Sequence, residues 1–301
     1  MIITSGKATR MRSLKVLLAG GIVAAAMAAM PAAAAAHVTA PSSGRPDIVM
    51  SGTPRGTVIE HKMKLIHIRV PRPVLPRAST AASSNWSGYA ALAIPGVQLR
   101  YVQAQFTIPS VNCSATVLGS DGEADASQWV GLDGWNSSTV EQTGVDSGCT
   151  SDGAYLYAWY EMFPLLPVTF SGVSPGDAIQ VSVYFNGSGY GLSLTDLTTG
   201  GFIQTTQACP SGSRCRNNSA EAINEDPGQA EPVNNLADFG AANFTGATVT
   251  SRNGTHGTLN TQSGLWTSTK IIMEDSSNNV MASPSALYGG QAFNVRFEGS
   301  S

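Results

Sequence analysis

The side chains able to do acid–base chemistry in this sequence are almost all carboxylates. Beyond residue 80 there is one histidine, His256, in the turn-like stretch Asn253-Gly-Thr-His-Gly257. A Ser-His-Asp or Cys-His triad would have to be built on that imidazole, and we expect it instead to be an exposed loop residue. Acid–base work then falls to Asp and Glu, whose unperturbed pKa values of about 4 suit a reaction at low pH.

Two short motifs typical of other hydrolases do not fit their usual context. Gly172-Val-Ser-Pro-Gly176 has the G-x-S-x-G pattern of a nucleophile elbow, but that elbow needs a helix after the serine, and a strand pattern follows here. Val145-Asp-Ser-Gly148 is similar to the aspartic peptidase motif, which requires two aspartates that share a proton. The sequence has no second copy. We therefore expect neither serine nor aspartic peptidase chemistry.

Several longer motifs follow one another between residues 84 and 301. They are Asn85-Trp-Ser-Gly88, Gln128-Trp-Val-Gly-Leu-Asp-Gly134, Val140-Glu-Gln-Thr-Gly-Val-Asp146, Tyr157-Ala-Trp-Tyr-Glu161 with Pro164, Ser219-Ala-Glu-Ala-Ile223 with Glu225-Asp226, and Ala237-Asp-Phe-Gly240. A set of motifs in a fixed order is far more specific than one short pattern. In these motifs the chain resembles the eqolisin family of glutamic endopeptidases.

The resemblance implies a fold, a reaction and a set of site residues. The fold is a two-sheet antiparallel β-sandwich like that of legume lectins and glucanases. The catalytic pair is Gln142 and Glu221. Trp129, Asp133 and Asp146 are expected to frame the site, and Trp159, Tyr160 and Glu161 match a loop that covers the substrate cleft. For Trp129 and Trp159, packing in the core is the alternative interpretation.

A glutamate and a glutamine together can hydrolyse a peptide bond without a covalent intermediate. As a carboxylate, Glu221 would take a proton from the attacking water, and as a carboxylic acid it would return that proton to the leaving amine. The amide of Gln142 does not titrate, and its N–H can stabilise the oxyanion of the tetrahedral intermediate. Neither a cofactor nor a metal is expected.

The sequence departs from the common fungal pattern at two places. Ala222 follows the expected catalytic glutamate where the family commonly has Trp, and Met162-Phe163 replaces a Trp-Tyr pair. These changes bear on subsite preference, not on the reaction. The alternative function is a sugar-binding sandwich, or a glycosidase that uses two carboxylates such as Glu161 and Glu221.

The elements that must position these residues are short strands. From residue 85 onward Val, Thr, Tyr, Phe and Ser alternate with a period of two between Gly and Asn turns. The pattern predicts strands at 100–108, 178–185, 190–197, 202–207, 244–251, 265–273 and 292–297, the second and third joined as a hairpin at Asn186-Gly-Ser-Gly189. Because helical periodicity is nearly absent, we predict one all-β domain at 81–301.

Four cysteines lie behind a predicted signal peptide at 1–36, which has basic residues before an apolar run and an alanine-rich end. An oxidising compartment and two disulfides follow from that reading. Four cysteines allow three pairings, and we favour Cys113 with Cys149 and Cys209 with Cys215. Zinc ligation is the alternative, but C-x-x-C spacing is missing.

The N-terminal part of the chain is basic and the remainder is acidic. Residues 37–80 carry seven basic and two acidic side chains, a net charge of +5, and have the composition of a pro-segment ending in a linker after Arg77. A disordered basic tail is the alternative interpretation. Residues 81–301 carry six basic and eighteen acidic side chains, a net charge of −12, which repels nucleic acid and anionic membranes.

Together these features predict a secreted, extracellular, acid-active peptidase made as a precursor. Its partner is a protein or peptide substrate, and we expect a monomer that contacts neither nucleic acid nor, after signal cleavage, the membrane.

Overall fold

A computed structural model describes residues 49–51, 58–59, 79–227, 235–260 and 264–300. The predicted signal peptide lies outside the described residues, and so does most of the predicted pro-segment. All the described residues belong to one compact unit, Pro41–Ser301. They contain strands, turns and loops but no helix, and therefore no helix able to cross a membrane.

Nineteen strands occur in the described part of the chain. The first ten are β1 (Val49–Ser51), β2 (Val58–Ile59), β3 (Ser79–Ser83), β4 (Trp86–Ala93), β5 (Leu99–Thr107), β6 (Glu123–Asp133), β7 (Val140–Thr150), β8 (Gly153–Phe163), β9 (Val168–Phe170) and β10 (Ala178–Phe185). The others are β11 (Tyr190–Asp196), β12 (Phe202–Gln207), β13 (Ser219–Glu225), β14 (Asn235–Leu236), β15 (Ala241–Ser251), β16 (His256–Thr258), β17 (Trp266–Glu274), β18 (Val280–Pro284) and β19 (Phe293–Phe297).

The strands form a two-sheet β-sandwich, as predicted. One sheet, which we call the front sheet, carries the motifs in which the chain resembles the eqolisin family. Its spatial order is β2-β9-β8-β7-β6-β13-β4-β17-β3. The back sheet runs β1-β12-β11-β10-β5-β15-β19-β18, and β18 also pairs with β17. Nearly all neighbours are antiparallel, and β3 on β17 and β14 on β6 are the parallel pairs.

Alternating apolar side chains of both sheets build the main core between them. In β10 the buried positions are Ile179, Val181 and Val183, while the residues between them are partly or fully exposed. That pattern reflects one face on the core and one in water. By contrast, β6, β7 and β13 are buried on both faces over almost their whole length. The outer face of the front sheet is therefore also enclosed.

The segment after Arg77 is not a free linker. Residues 79–83 form β3, which pairs in parallel with Thr269–Met273 of β17, and the hydroxyls of Ser79 and Thr269 lie 2.8 Å apart. The prediction of a linker across this segment was wrong, because small Ala and Ser side chains complete a sheet edge as well as they fill a loop. A strand of the folded domain thus begins at residue 79.

Both disulfides have the favoured pairing. Cys113 is bonded to Cys149 at the end of β7, and Cys209 to Cys215 in the loop before β13. His256 is exposed in β16, with Nδ1 2.9 Å from the Thr250 hydroxyl. The G-x-S-x-G segment lies between β9 and β10 and leads into a strand.

Candidate active site

The outer face of the front sheet brings the two expected catalytic residues to either side of one glycine. Gly131 of β6 is directly opposite Glu221 of β13 on one side and Gln142 of β7 on the other. Side chains directly opposite each other share a face. Two strand spacings separate the backbones of Glu221 and Gln142, about 10 Å. A peptide group fits between side chains that converge from this distance.

Gly131 is required here by the close approach of its neighbours. A Cβ at this position would lie 2.9 Å from Cζ3 of Trp129 and 3.2 Å from Cβ of Gln142. Contacts this short would displace one of the two side chains. The glycine therefore leaves a notch in the floor of the face, between the carboxyl group and the amide group.

The amide of Gln142 is oriented by a carboxyl group on the next strand. Gln142 is opposite Glu161 of β8, and its Nε2 donates a hydrogen bond to Oε2 of Glu161 at 2.6 Å. Both side chains are at most 1 % exposed. A carboxylate accepts hydrogen bonds and cannot donate them, so it selects the amide rotamer that turns the nitrogen toward it. Glu161 thus orients the amide of Gln142, the group expected to stabilise an oxyanion.

Glu221 is completely enclosed, with 0 % of its surface exposed. Burial raises its pKa well above the ordinary value, and the charge of Asp133 raises it further. The Ser219 hydroxyl and the backbone N–H of Trp135 lower the pKa, but burial outweighs them. In this closed form burial therefore favours the neutral acid form of Glu221.

Three tryptophans line the same face around the two residues. Trp129 is opposite Gly144, which is in turn opposite Trp159, and the rings of Trp86 and Trp129 meet edge to face at 5.1 Å. A Cβ on Gly144 would lie only 2.6 Å from Cβ of Trp129. Trp129 and Trp159 are thus buried in a second apolar cluster, on the face that carries Gln142 and Glu221.

A second acidic group lies further along the same face. The hydroxyl of Tyr157 donates to Oδ2 of Asp146 at 2.7 Å, and burial raises the pKa of Asp146 to about 7. Glu225 accepts hydrogen bonds from Nε1 of Trp129 at 2.7 Å and from Nδ2 of Asn85 at 3.0 Å. Sequence reasoning did not single out Glu225 as a supporting residue. Its spacing of four from Glu221 on one strand could have shown that the two share a face.

The remaining expected site residues have other positions. Trp159, Tyr160 and Glu161 lie in β8 and not in a loop, so that part of the prediction was wrong. Tyr160, between the other two, points to the opposite face and packs in the core against Phe170 at 5.9 Å. Asp133, at the end of β6, turns its oxygens to the backbone N–H groups of Arg216 and Asn218, at 2.6 and 3.0 Å.

Comparisons with known proteins relate this chain to a family of peptidases. A sequence model of the Peptidase A4 family matches residues 84–297. Aspergillopepsin-2 of Aspergillus niger is 36% identical over an alignment of 196 residues, and the match covers 58% of this chain and 67% of the relative.

Two solved structures share the fold. One is scytalido-glutamic peptidase with a peptide-based transition-state analogue, with a TM-score of 0.57 and 27% identity over 71% of this chain and 98% of that one. The other is SCP-B, an eqolisin family peptidase in complex with the tripeptide Ala-Ile-His, with a TM-score of 0.54, 26% identity and the same coverage.

Proposed function

This chain belongs to the peptidase A4 (eqolisin) family and is therefore a glutamic-type endopeptidase, and we propose that Gln142 and Glu221 carry out its reaction. The observation that supports this pair is their convergence from two strands across the Gly131 notch. Family membership also favours a peptide substrate over the sugar considered as an alternative.

In the proposed reaction, the scissile peptide group lies over the notch between the two side chains. Glu221 as a carboxylate takes a proton from water as the water oxygen attacks the carbonyl carbon. The Gln142 amide, aimed by Glu161, stabilises the oxyanion that forms on the carbonyl oxygen. Glu221 then gives its proton to the nitrogen as the C–N bond breaks, and both side chains return to their starting state.

The full burial of both groups supports a closed precursor. A peptide cannot contact Gln142 or Glu221 while each is 0 % exposed, so activation must open this face. Opening would hydrate Glu221 and remove part of the burial that raises its pKa, while the Ser219 hydroxyl and the Trp135 N–H would still favour the carboxylate. We therefore propose that the chain with its basic N-terminal segment is a zymogen.

We also propose that the protein is secreted. The basic and apolar pattern of residues 1–36 supports this, as do two disulfides, which form in an oxidising compartment. Determining the N-terminal sequence of protein recovered from the culture medium tests this proposal. An intact N terminus on protein found only inside cells would contradict it.

The catalytic proposal is tested with Gln142→Ala and Glu221→Gln. Each precursor is first converted by immobilised wild-type enzyme, so that a variant unable to process itself still reaches the mature form. We expect Gln142→Ala to lose about 100- to 1000-fold in kcat and Glu221→Gln at least as much. Glu274→Gln, a carboxyl on β17 remote from the notch, is the matched control.

Inhibitors separate this chemistry from that of aspartic peptidases. Statine-type compounds mimic an intermediate held between two aspartates, so we expect no inhibition at stoichiometric dose. Strong inhibition, or near-wild-type turnover by folded Glu221→Gln, would overturn the proposal and direct attention to Asp146.

A further inference from the structure

One buried carboxyl group next to the proposed site takes no part in the proposed reaction. Glu141 precedes Gln142 in sequence, but its side chain lies on the other face of β7, between the two sheets. Its cross-strand partners Leu132 and Met162 both belong to the main core, and Glu141 itself is 0 % exposed. Among the described residues, no cation and no backbone N–H lies at hydrogen-bond distance from its oxygens, and its polar neighbours are the Thr139 hydroxyl and the Asp133 carboxyl. Burying a carboxylate with no cation or backbone N–H beside it is costly, which favours the protonated form of Glu141.

Among the charged groups, the carboxyl of Asp133 has the largest effect on the pKa of Glu141. In the strand register, Asp133 is opposite Val140, the residue before Glu141. Burial and the charge of Asp133 raise the pKa of Glu141 well above its ordinary value, and the Thr139 hydroxyl opposes this weakly. Two other titratable groups interact with it electrostatically: Tyr190 of β11, whose pKa is raised by burial and then by Glu141 and Asp133, and Glu221, which lies on the outer face of the same sheet. None of these neighbours is a cation. Ionising both carboxyls would therefore bury two like charges side by side.

Asp133 is a fixed part of the segment that leads into the strand of Glu221. Its two oxygens accept the N–H groups of Arg216 and Asn218, and Asn218 lies immediately before β13 and three residues before Glu221. The hydroxyl of Tyr190 donates to Oδ1 of Asn217 at 2.7 Å, in the middle of the same segment. Whatever moves Asp133 must therefore move the start of β13.

From this arrangement we propose that Glu141 is a positioning residue: as a neutral acid it lets Asp133 clamp residues 216–218, and its ionisation sets the upper pH limit of the active form. The proposal rests on the catalytic role of Glu221. Below that limit one negative charge is shared by the pair, and the clamp is intact. Above it the second charge repels Asp133 from the amides, and Glu221 loses its place opposite Gly131.

The test compares pH profiles of kcat/KM for wild type and Glu141→Gln, each normalised to its own maximum. Glutamine keeps the shape of glutamic acid and cannot ionise. We expect the alkaline limb to move upward by about one pH unit or more, a tenfold change in proton concentration. Glu274→Gln, which removes an exposed-side carboxyl, should leave the limb in place. The proposal is overturned if the alkaline limb of the Glu141→Gln profile superimposes on that of wild type. It is also overturned if the folded variant is inactive at every pH.

A second measurement uses the wild type and does not depend on turnover. The amide protons of Arg216 and Asn218, followed by NMR, should titrate with the midpoint of the activity limb, because their acceptor is Asp133. Amides that do not respond across that range contradict the clamp, even if Glu141→Gln fails to fold. An active Glu221→Gln variant would instead contradict the catalytic proposal while leaving this titration unaffected.

Discussion

At the scale of single residues, the contact between Gln142 and Glu161 decides which end of an amide faces the substrate. The amide nitrogen and oxygen are nearly equal in size, and the hydrogen bond to Glu161 breaks that symmetry. A neutral amide at 161 could accept from Gln142 or donate to it. In the second case, the Gln142 oxygen and nitrogen exchange places, and an oxygen faces the oxyanion.

We therefore predict that Glu161→Gln lowers kcat by about tenfold, less than the loss in Gln142→Ala, because only part of the population is misoriented. The measurement is steady-state kinetics on the converted enzyme. KM should change less than kcat, because the oxyanion exists only in the intermediate. Wild-type kcat in Glu161→Gln would show that Glu161 does not orient the amide.

Asp146 gives a second prediction, about stability. Its folded pKa of about 7 lies above the unfolded value of 3.8, so the folded state keeps a proton that the unfolded state releases between these limits. Stability must then fall as pH rises through this window, by up to about 1.4 kcal/mol per pH unit for this one group. In Asp146→Asn, which still accepts from Tyr157, the free energy of unfolding should fall less steeply with pH.

Urea unfolding of wild type and Asp146→Asn at about pH 4, 5.5 and 7 checks this difference. The two curves should diverge with rising pH, with wild type the more pH-dependent. Parallel curves would mean that Asp146 titrates in the folded protein much as it does in the unfolded chain.

At the scale of elements, the two sheets differed in how well the sequence predicted them. In the back sheet, 178–185 and 202–207 were predicted with the bounds that β10 and β12 have, because one face meets water and the other does not. In the front sheet, β6, β7 and β13 are buried on both sides, so their residues do not alternate in polarity. There the motifs, not the periodicity, indicated where the chemistry lies.

The same limit explains the error at Tyr160. A motif tells which residues matter but does not tell which face of a strand they occupy, because that depends on register with the next strand. The register Gln142 to Glu161 and Gly144 to Trp159 puts Tyr160 on the core side. The Glu141 and Asp133 pair was also beyond the sequence, since it depends on burial between two sheets.

The two disulfides should have different effects on stability and activity. Cys113–Cys149 closes a sequence separation of 36 residues and Cys209–Cys215 one of 6. Chain entropy assigns about 4 kcal/mol to the first and about 2 kcal/mol to the second. The smaller loop, however, ends beside Arg216, whose N–H is bound to Asp133.

We predict that replacing both cysteines of the larger loop by serine lowers the free energy of unfolding more than the same change in the smaller loop. The smaller-loop variant should lose more of its kcat/KM. Urea unfolding and kinetics at one acidic pH give both rankings. Reversal of the activity ranking would show that the disulfide next to Arg216 does not support the start of β13.

At the scale of the whole molecule, charge is divided between a proposed pro-segment of +5 and a domain of −12. This attraction should hold the precursor closed near neutral pH and fade as carboxylates become protonated in acid. Since β3 begins at Ser79, we place the accessible cleavage region before that strand and not within it. Cleavage inside β3 would require its removal from β17.

We predict that purified precursor is processed faster at about pH 3.5 than at about pH 7, and that activity appears with the loss of mass. Mass spectrometry and a peptide assay over time test this, with an N terminus expected at or before residue 79. Equal rates at the two pH values, or full activity of an intact precursor in acid, would contradict the charge mechanism. High salt near neutral pH should partly reproduce the effect of acid by screening.

The notch at Gly131 lies in the middle of strands and not on the loops at their ends. Amide groups of strands that are paired on both sides at the centre of a sheet are among the last in a protein to exchange with deuterium, because they open only with the whole structure. In many enzymes the catalytic loops lose their order before the scaffold does. Here the three strands that carry Gly131, Gln142 and Glu221 are also the part of the scaffold that opens most slowly: β6, β7 and β13. Heat should therefore not produce a folded but inactive enzyme, and the activity that survives heating should equal the fraction of molecules whose front sheet is still intact.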